Sequence, residues 1–262
     1  MPLYAPIQNV PEFTLSVARA YADLTAHGSA DPESGLGGSF FYAGELDGAG
    51  RALVAAANIA GAATLVASAD RTAQKQAIRE GIADFLVTSL DEALRILKNQ
   101  LRKRETVAVC VAKEPAAMER EMRERGVLPN LLRSGLPVAA DSASLRFDES
   151  ASDAADSADA PALVVWRVDS GRHKDLALLD EAALACLGAD QWAARRWLRL
   201  APRYLGRLAQ GLRLLLADRA FARKFAEESK SRVDSGEIAF PCELCVYCRG
   251  EEKKYRLKPE NS

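Results

Sequence analysis

The chain has 262 residues, 48% of them apolar and 27% charged, and its 35 basic and 36 acidic side chains give a net charge of −1. Such a composition suits a globular protein with a substantial buried core and gives no global pull toward nucleic acid or an anionic membrane. No stretch approaches the roughly 18–20 apolar residues of a membrane span, Met1–Val10 lacks the basic start and apolar run of a secretory signal, and five cysteines are too few and too unevenly spread for a disulfide framework. A cytoplasmic location with reduced thiols is the expectation.

In chain order, Val10–Thr25 reads as a helix, with Phe13, Leu15, Val17, Ala18, Tyr21 and Leu24 forming an apolar face. A loop rich in Gly, Ser, Asp and Pro follows to Gly38. Strand and helix then alternate. Ser39–Ala43 is a short apolar-aromatic strand, Arg51–Gly61 an Ala-rich helix, and Ala63–Ala67 the next strand. Asp70 or Thr72 caps a helix that Gly81 stops, and Ala83–Val87 is a third strand. Ser89 and Glu92 form a capping box for the helix Asp91–Lys103. Thr106–Ala112 is the most strand-like run, Ala116–Arg125 is a further helix, and Leu131-Leu132 begin one more short apolar segment. Continuous apolar strands separated by helices predict a parallel sheet with helices on its faces, a Rossmann-like α/β fold.

Beyond this unit the pattern changes. Asp148–Ala160 is a run of small and acidic residues without apolar periodicity, expected as a linker or surface loop. Ala162–Val168 resumes as a strand, and helices are predicted over Lys174–Leu187, Asp190–Leu200 and Arg203 to about Glu228, followed by a charged tail. The expected division is therefore 1–147 for the N-terminal helix and α/β domain, 148–160 for the acidic linker, 161–232 for a strand and helical region, mainly helical, and 233–262 for a cysteine-containing tail.

Asp47-Gly48-Ala49-Gly50 lies between the first strand and its helix, where backbone N–H groups and a helix N-terminus can meet a phosphate. Leu53 stands where a third glycine would complete the dinucleotide fingerprint, so the turn alone fits a plain strand-to-helix connection equally well. Gly37-Gly38-Ser39-Phe40-Phe41, Leu46-x-Gly48-x-Gly50-x-Ala52, Ala55–Ala62, Leu90-Asp91-Glu92-Ala93-Leu94 and Arg125-Gly126-Val127-x-Pro129 occur in the order and near-spacing of urocanase, and the region resembles that family's NAD-binding domain. The resemblance implies a Rossmann-like domain whose tightly bound NAD⁺ acts as an electrophile in a carbon–oxygen lyase reaction, the hydration of urocanate. Gly48-Ala49-Gly50 matches the family's pyrophosphate turn.

The departures are equally specific. Ser68 replaces the family's acidic residue for the adenosine ribose, and Asp70 is a candidate substitute two positions on. Glu114-Pro115 replaces Asn-Ala, and Gly135-Leu136-Pro137-Val138-Ala139 replaces Gln-Thr-Ser-Ala-His with its polar groups lost. The family's catalytic-core motifs are not found, although Ser235-Gly236-Glu237-Ile238 resembles the approach to that core. No catalytic residue is assigned on this basis.

Cys242, Cys245 and Cys248 form C-x₂-C-x₂-C, a spacing at which a tight loop converges three thiolates on Zn or an Fe–S cluster, with a fourth ligand still to be supplied. The alternative is a redox-labile or merely small-apolar cluster. Nine basic residues between Asp190 and Lys224 interleave with aromatics, but leucines at helical spacing give an apolar stripe with the arginines on a solvated face, so nucleic-acid binding is not expected. His27 and His173 lack a sequence-evident catalytic partner. The expected function is a urocanase-related, NAD-binding member of the hydratase/lyase family that does not hydrate urocanate on its own, with a homodimer mate or a partner subunit completing any site. The alternative is a non-catalytic scaffold or metal-dependent interaction module.

Overall fold

A computed structural model describes residues 10–27, 31–133, 145–147, 162–169, 173–248 and 251–259. Its contacts divide the chain into two compact units, Leu15–Ser150 and Met1–Thr14 with Ala151–Ser262. The acidic run at 148–160 and the segment Gly135–Ala139 lie outside the described residues.

The first unit follows the predicted rhythm. After α1 (Glu12–His27) come β1 (Phe40–Glu45), α2 (Gly48–Ala60), β2 (Ala63–Ala67), α3 (Arg71–Arg79), β3 (Phe85–Val87), α4 (Leu90–Lys103), β4 (Val107–Val111), α5 (Pro115–Glu124), β5 (Leu131–Arg133) and β6 (Leu145–Phe147). The strands form one parallel sheet in the order β3-β4-β2-β1-β5-β6. β1, β2 and β4 are the central strands, and their apolar runs are buried on both faces, as a helix-covered parallel sheet requires. β3 is the exception: it lies at an edge and leaves Phe85 and Leu86 exposed.

Local chemistry fixes the helix ends. Asp47, Asp70 and Ser89 each accept a hydrogen bond from a backbone N–H in the first turn of the following helix, at 2.6, 2.7 and 3.3 Å. The Glu92 carboxylate reaches back to the N–H of Thr88, one residue before the cap, which varies the expected capping box. Gly61 closes α2 in the left-handed region at φ 100° and returns its N–H to Ala57. Small residues then let α2 lie close to the sheet, with every residue from Ala52 to Ala60 buried.

The second unit has the expected strand and helices and adds an antiparallel sheet to them. β7 (Ala162–Val168), α6 (Leu176–Cys186), α7 (Trp192–Leu205), β8 (Leu212–Ala217), α8 (Arg219–Asp234), β9 (Cys242–Cys248) and β10 (Glu251–Leu257) build a four-stranded antiparallel sheet with three helices, in the order β10-β9-β7-β8. The single helix expected from Arg203 to Glu228 is instead the end of α7, a 3₁₀ turn, β8 and α8. Gly206 and Gly211, at φ 53° and 74°, break it. Leu212, Leu215 and Leu216 satisfy helical spacing, but with Leu214 they also make a short apolar run, and periodicity alone does not separate these two cases. The cysteine tail is likewise a strand, and the charged residues after it form the edge strand β10.

One polar pair sits inside the parallel unit's core. The Tyr42 hydroxyl on β1 donates to the Glu119 carboxylate on α5 at 3.4 Å, with Tyr42 fully buried and Glu119 only 6% exposed. Burial pushes the Glu119 carboxyl up from its ordinary value, against the smaller opposing pull of Tyr42 and Arg123. A raised folded-state value means the fold favours the protonated acid. The associated stability is complete below the ordinary carboxylate range and is lost as pH rises through the folded value. Glu119→Gln is therefore expected to flatten the decline in stability above about pH 4–5 relative to the parent chain. Denaturant unfolding of both proteins at several pH values tests this, and identical slopes would show that Glu119 does not carry the effect.

Candidate functional site

Chain order reverses at β1. From β1 the sheet grows through β2, β4 and β3 on one side, then the chain returns to β5 and β6 on the other. Ligands of doubly wound sheets bind at such a switch point, outside the carboxyl ends of the strands. The residues there are the β1–α2 turn and the end of β5.

The turn is built by one glycine outside the expected motif as well as by those in it. Gly44, at φ 78°, coincides with a register shift late in β1, which pairs Tyr42 with Leu65 but Glu45 with Ala67. Leu46 still donates its N–H to Ala67 at 2.9 Å, so the chain leaves the sheet only at Asp47. Asp47 then caps α2, whose first residues are Gly48, Ala49 and Gly50.

The two glycines of the motif differ in kind. An alanine Cβ at Gly50 would lie 1.8 Å from the Glu45 carbonyl oxygen and 3.1 Å from the Asp47 carboxylate, so the helix–strand packing itself demands glycine. A Cβ at Gly48 would meet nothing within 4 Å. The fold does not need glycine there, and the position opens beside the N-terminus of a 13-residue helix.

Arg133, at the end of β5, supplies a cation that the sequence reading missed. Its Nη1 lies 3.3 Å from Asp47 Oδ1, the same oxygen that accepts from Gly50. Asp47 would otherwise set a carboxylate where an anion is wanted, and Arg133 offsets that charge. Sequence offered only a basic residue ending a two-leucine run; the pairing needs β5 to lie beside β1, a neighbour relation 86 residues apart in the chain.

The other expected cofactor positions are occupied by local structure. Ser68 is buried, its Oγ accepts the Asp70 N–H at 3.2 Å, and its carbonyl accepts the Gln74 side-chain amide at 2.7 Å. Asp70 Oδ1 caps α3 through Thr72. Both lie at the end of β2 next to β1, on the correct edge of the sheet, but each is engaged with its own turn. Glu114 and Pro115 open α5, Pro115 at a first-turn position where its missing N–H is no loss.

The cysteine cluster does not converge. A strand alternates side chains between faces, so Cys242 and Cys248 share one face of β9 and Cys245 takes the other. The two on one face are six residues apart, or roughly 20 Å along the strand. Burial pushes the Cys242 and Cys245 thiols up to about 11, which favours the protonated form rather than a ligating thiolate. No group of three or more metal-ligating side chains is present among the described residues. The spacing that suits a tight loop fails on an extended strand, and the Zn or Fe–S expectation is corrected on that ground.

Among the described residues, no helix is long and apolar enough to cross a membrane. The family model for the urocanase Rossmann-like domain matches residues 17–136, from within α1 to just past β5. That span contains the whole switch-point turn, Ser68, Asp70 and Arg133, and none of the second unit's strands. Over these residues the α/β unit of this chain is similar to the urocanase Rossmann-like domain.

Proposed function

We propose that the α/β unit binds a dinucleotide, NAD, at Asp47–Gly50, and that the chain is a nucleotide-binding relative of the hydratase/lyase family without a complete urocanate-hydrating site of its own. The observation that carries this reading is Gly48, a glycine the fold does not require, at the mouth of the switch-point crevice. A bound phosphate is the kind of neighbour that would make a side chain there costly. Backbone N–H groups of the first turn are the donors for the pyrophosphate, Arg133 balances Asp47, and Ser68 and Asp70 are the groups nearest the ribose position at the end of β2. NAD, when bound, supplies an electrophilic nicotinamide; the residues named here bind and orient, and none of them is assigned a chemical step. The family match supports the fold half of this reading.

The test is binding. NAD is expected in the supernatant of heat-denatured purified protein, or, if lost on purification, to raise the unfolding temperature when added back. Saturation at roughly a hundred times Kd corresponds to about 2.7 kcal/mol of added stability. Gly48→Val should abolish the shift while leaving the unliganded fold intact. An empty supernatant with no NAD-dependent shift would make the α/β unit a scaffold instead.

A further inference from the structure

The second unit carries a site that the turn at 47–50 does not explain. Arg219 and Arg223 on α8 and Lys253 on β10 line one open cleft of about 600 Å³, together with Cys248, Glu251 and Glu252. The volume is in the range of small-molecule sites. Arg219 and Arg223 are one helical turn apart, a spacing at which like charges repel. Among the described residues, none of these three cations has a carboxylate partner, whereas Lys254 next door pairs with Glu243 at 2.7 Å.

Two of the cations are also held in place. Arg219 Nε–H donates to Cys248 Sγ at 3.2 Å, which leaves the two terminal nitrogens of its guanidinium without a partner among the described residues. Lys253 Nζ sits 5.2 Å from the centre of the Tyr255 ring. Two guanidinium forks and an ammonium facing one cleft match the oxygen array of a phosphate group.

One carboxylate narrows the class. Glu251 pairs with Cys248 in register and shares its face with Lys253, whereas Glu252 lies opposite Tyr247 on the other face and accepts from its hydroxyl at 3.2 Å. Three cations against Glu251 leave an excess of about two positive charges, the charge of one phosphate dianion. Carboxylates beside a phosphate seat accept hydrogen bonds from hydroxyls. We propose that this cleft binds a small phosphate monoester bearing hydroxyl groups, a sugar phosphate or a nucleoside monophosphate, with its phosphate on Arg219, Arg223 and Lys253 and its hydroxyls toward Glu251.

Cys248 provides a built-in reporter. It is the one cysteine of five that is not buried, so it is the thiol an alkylating reagent reaches in the native protein. The experiment titrates the full chain calorimetrically with ribose 5-phosphate, adenosine monophosphate, inorganic phosphate and free ribose, and follows alkylation of Cys248 in parallel. At least one monoester is expected to bind and to slow alkylation, and the tighter of the two identifies the source. Arg223→Ala and Lys253→Ala, both at exposed positions, should each weaken binding about tenfold. Gly48→Val should leave it unchanged, which separates this cleft from the NAD site. Absence of binding by both monoesters, inorganic phosphate or ribose binding as tightly as they do, or affinity untouched by both charge removals would overturn the assignment.

Discussion

Replacing Gly50 by alanine is expected to destabilise the α/β unit by more than about 3 kcal/mol, while the same change at Gly48 stays within about 1 kcal/mol. The first substitution drives a methyl group onto the backbone carbonyl of Glu45, 1.8 Å away, and that oxygen belongs to the end of a central strand. It has no rotamer to change. Relief must come from moving α2 off the sheet, and α2 is buried continuously from Ala52 to Ala60, so any displacement opens voids along β1 and β2. At Gly48 the methyl group meets no atom, and alanine is the better helix former. All three tryptophans, Trp166, Trp192 and Trp197, lie outside Leu15–Ser150, so their fluorescence reports the other unit. The measurement therefore has to be hydrogen exchange of the β1 and α2 amides, or far-UV circular dichroism, in denaturant. Equal losses at the two glycines would refute the distinction between a packing glycine and a ligand glycine, and with it the main support for NAD at this turn.

That distinction was not legible in the sequence, and the reason is physical. The pair Gly48-x-Gly50 signals a turn that brings backbone close to something, but the same spacing arises whether the neighbour is a strand carbonyl or a phosphate. Only the three-dimensional approach of Glu45 to Gly50 separates the two. The parallel sheet itself was readable because its strands are continuous apolar runs and its helices carry their caps in sequence at Asp70 and Ser89. Arg133 was missed because its partner is set by strand order, not by spacing.

In the second unit the failure is of another kind. β8 and the cysteine segment are short apolar runs in which alternation and helical periodicity both fit, and tertiary pairing decides between them. Once β9 is a strand, C-x₂-C-x₂-C no longer describes a ligand set, because odd spacings alternate faces. The cysteines then read as strand residues, two of them buried, with the third opening on the cleft beside Arg219.

Asp180→Asn is expected to be the most damaging single change in that second unit, at about 3–5 kcal/mol. Asp180, on α6, accepts from the Trp166 indole N–H on β7 and from Arg213 Nε on β8, both at 3.0 Å, tying the helix to the two paired strands at one point. The Asp180 and Arg213 side chains are 17% and 16% exposed, so water can do little for whichever charge is left alone. Asparagine keeps the size and can still accept from Trp166; what it removes is the countercharge of a guanidinium that also donates to the Ala209 and Leu212 carbonyls and so cannot swing out freely. Trp166 is fully buried and packs edge-on against Phe225 at 5.0 Å, which makes tryptophan fluorescence in a denaturant titration a direct readout of this unit. The double variant Asp180→Leu/Arg213→Met should recover most of the loss, because two apolar groups need no mutual charge compensation. A single variant within 1 kcal/mol of the parent would show that the pair is solvated rather than structural. A double variant worse than the single one would place the stabilisation in the Trp166 and backbone hydrogen bonds instead of in the charges.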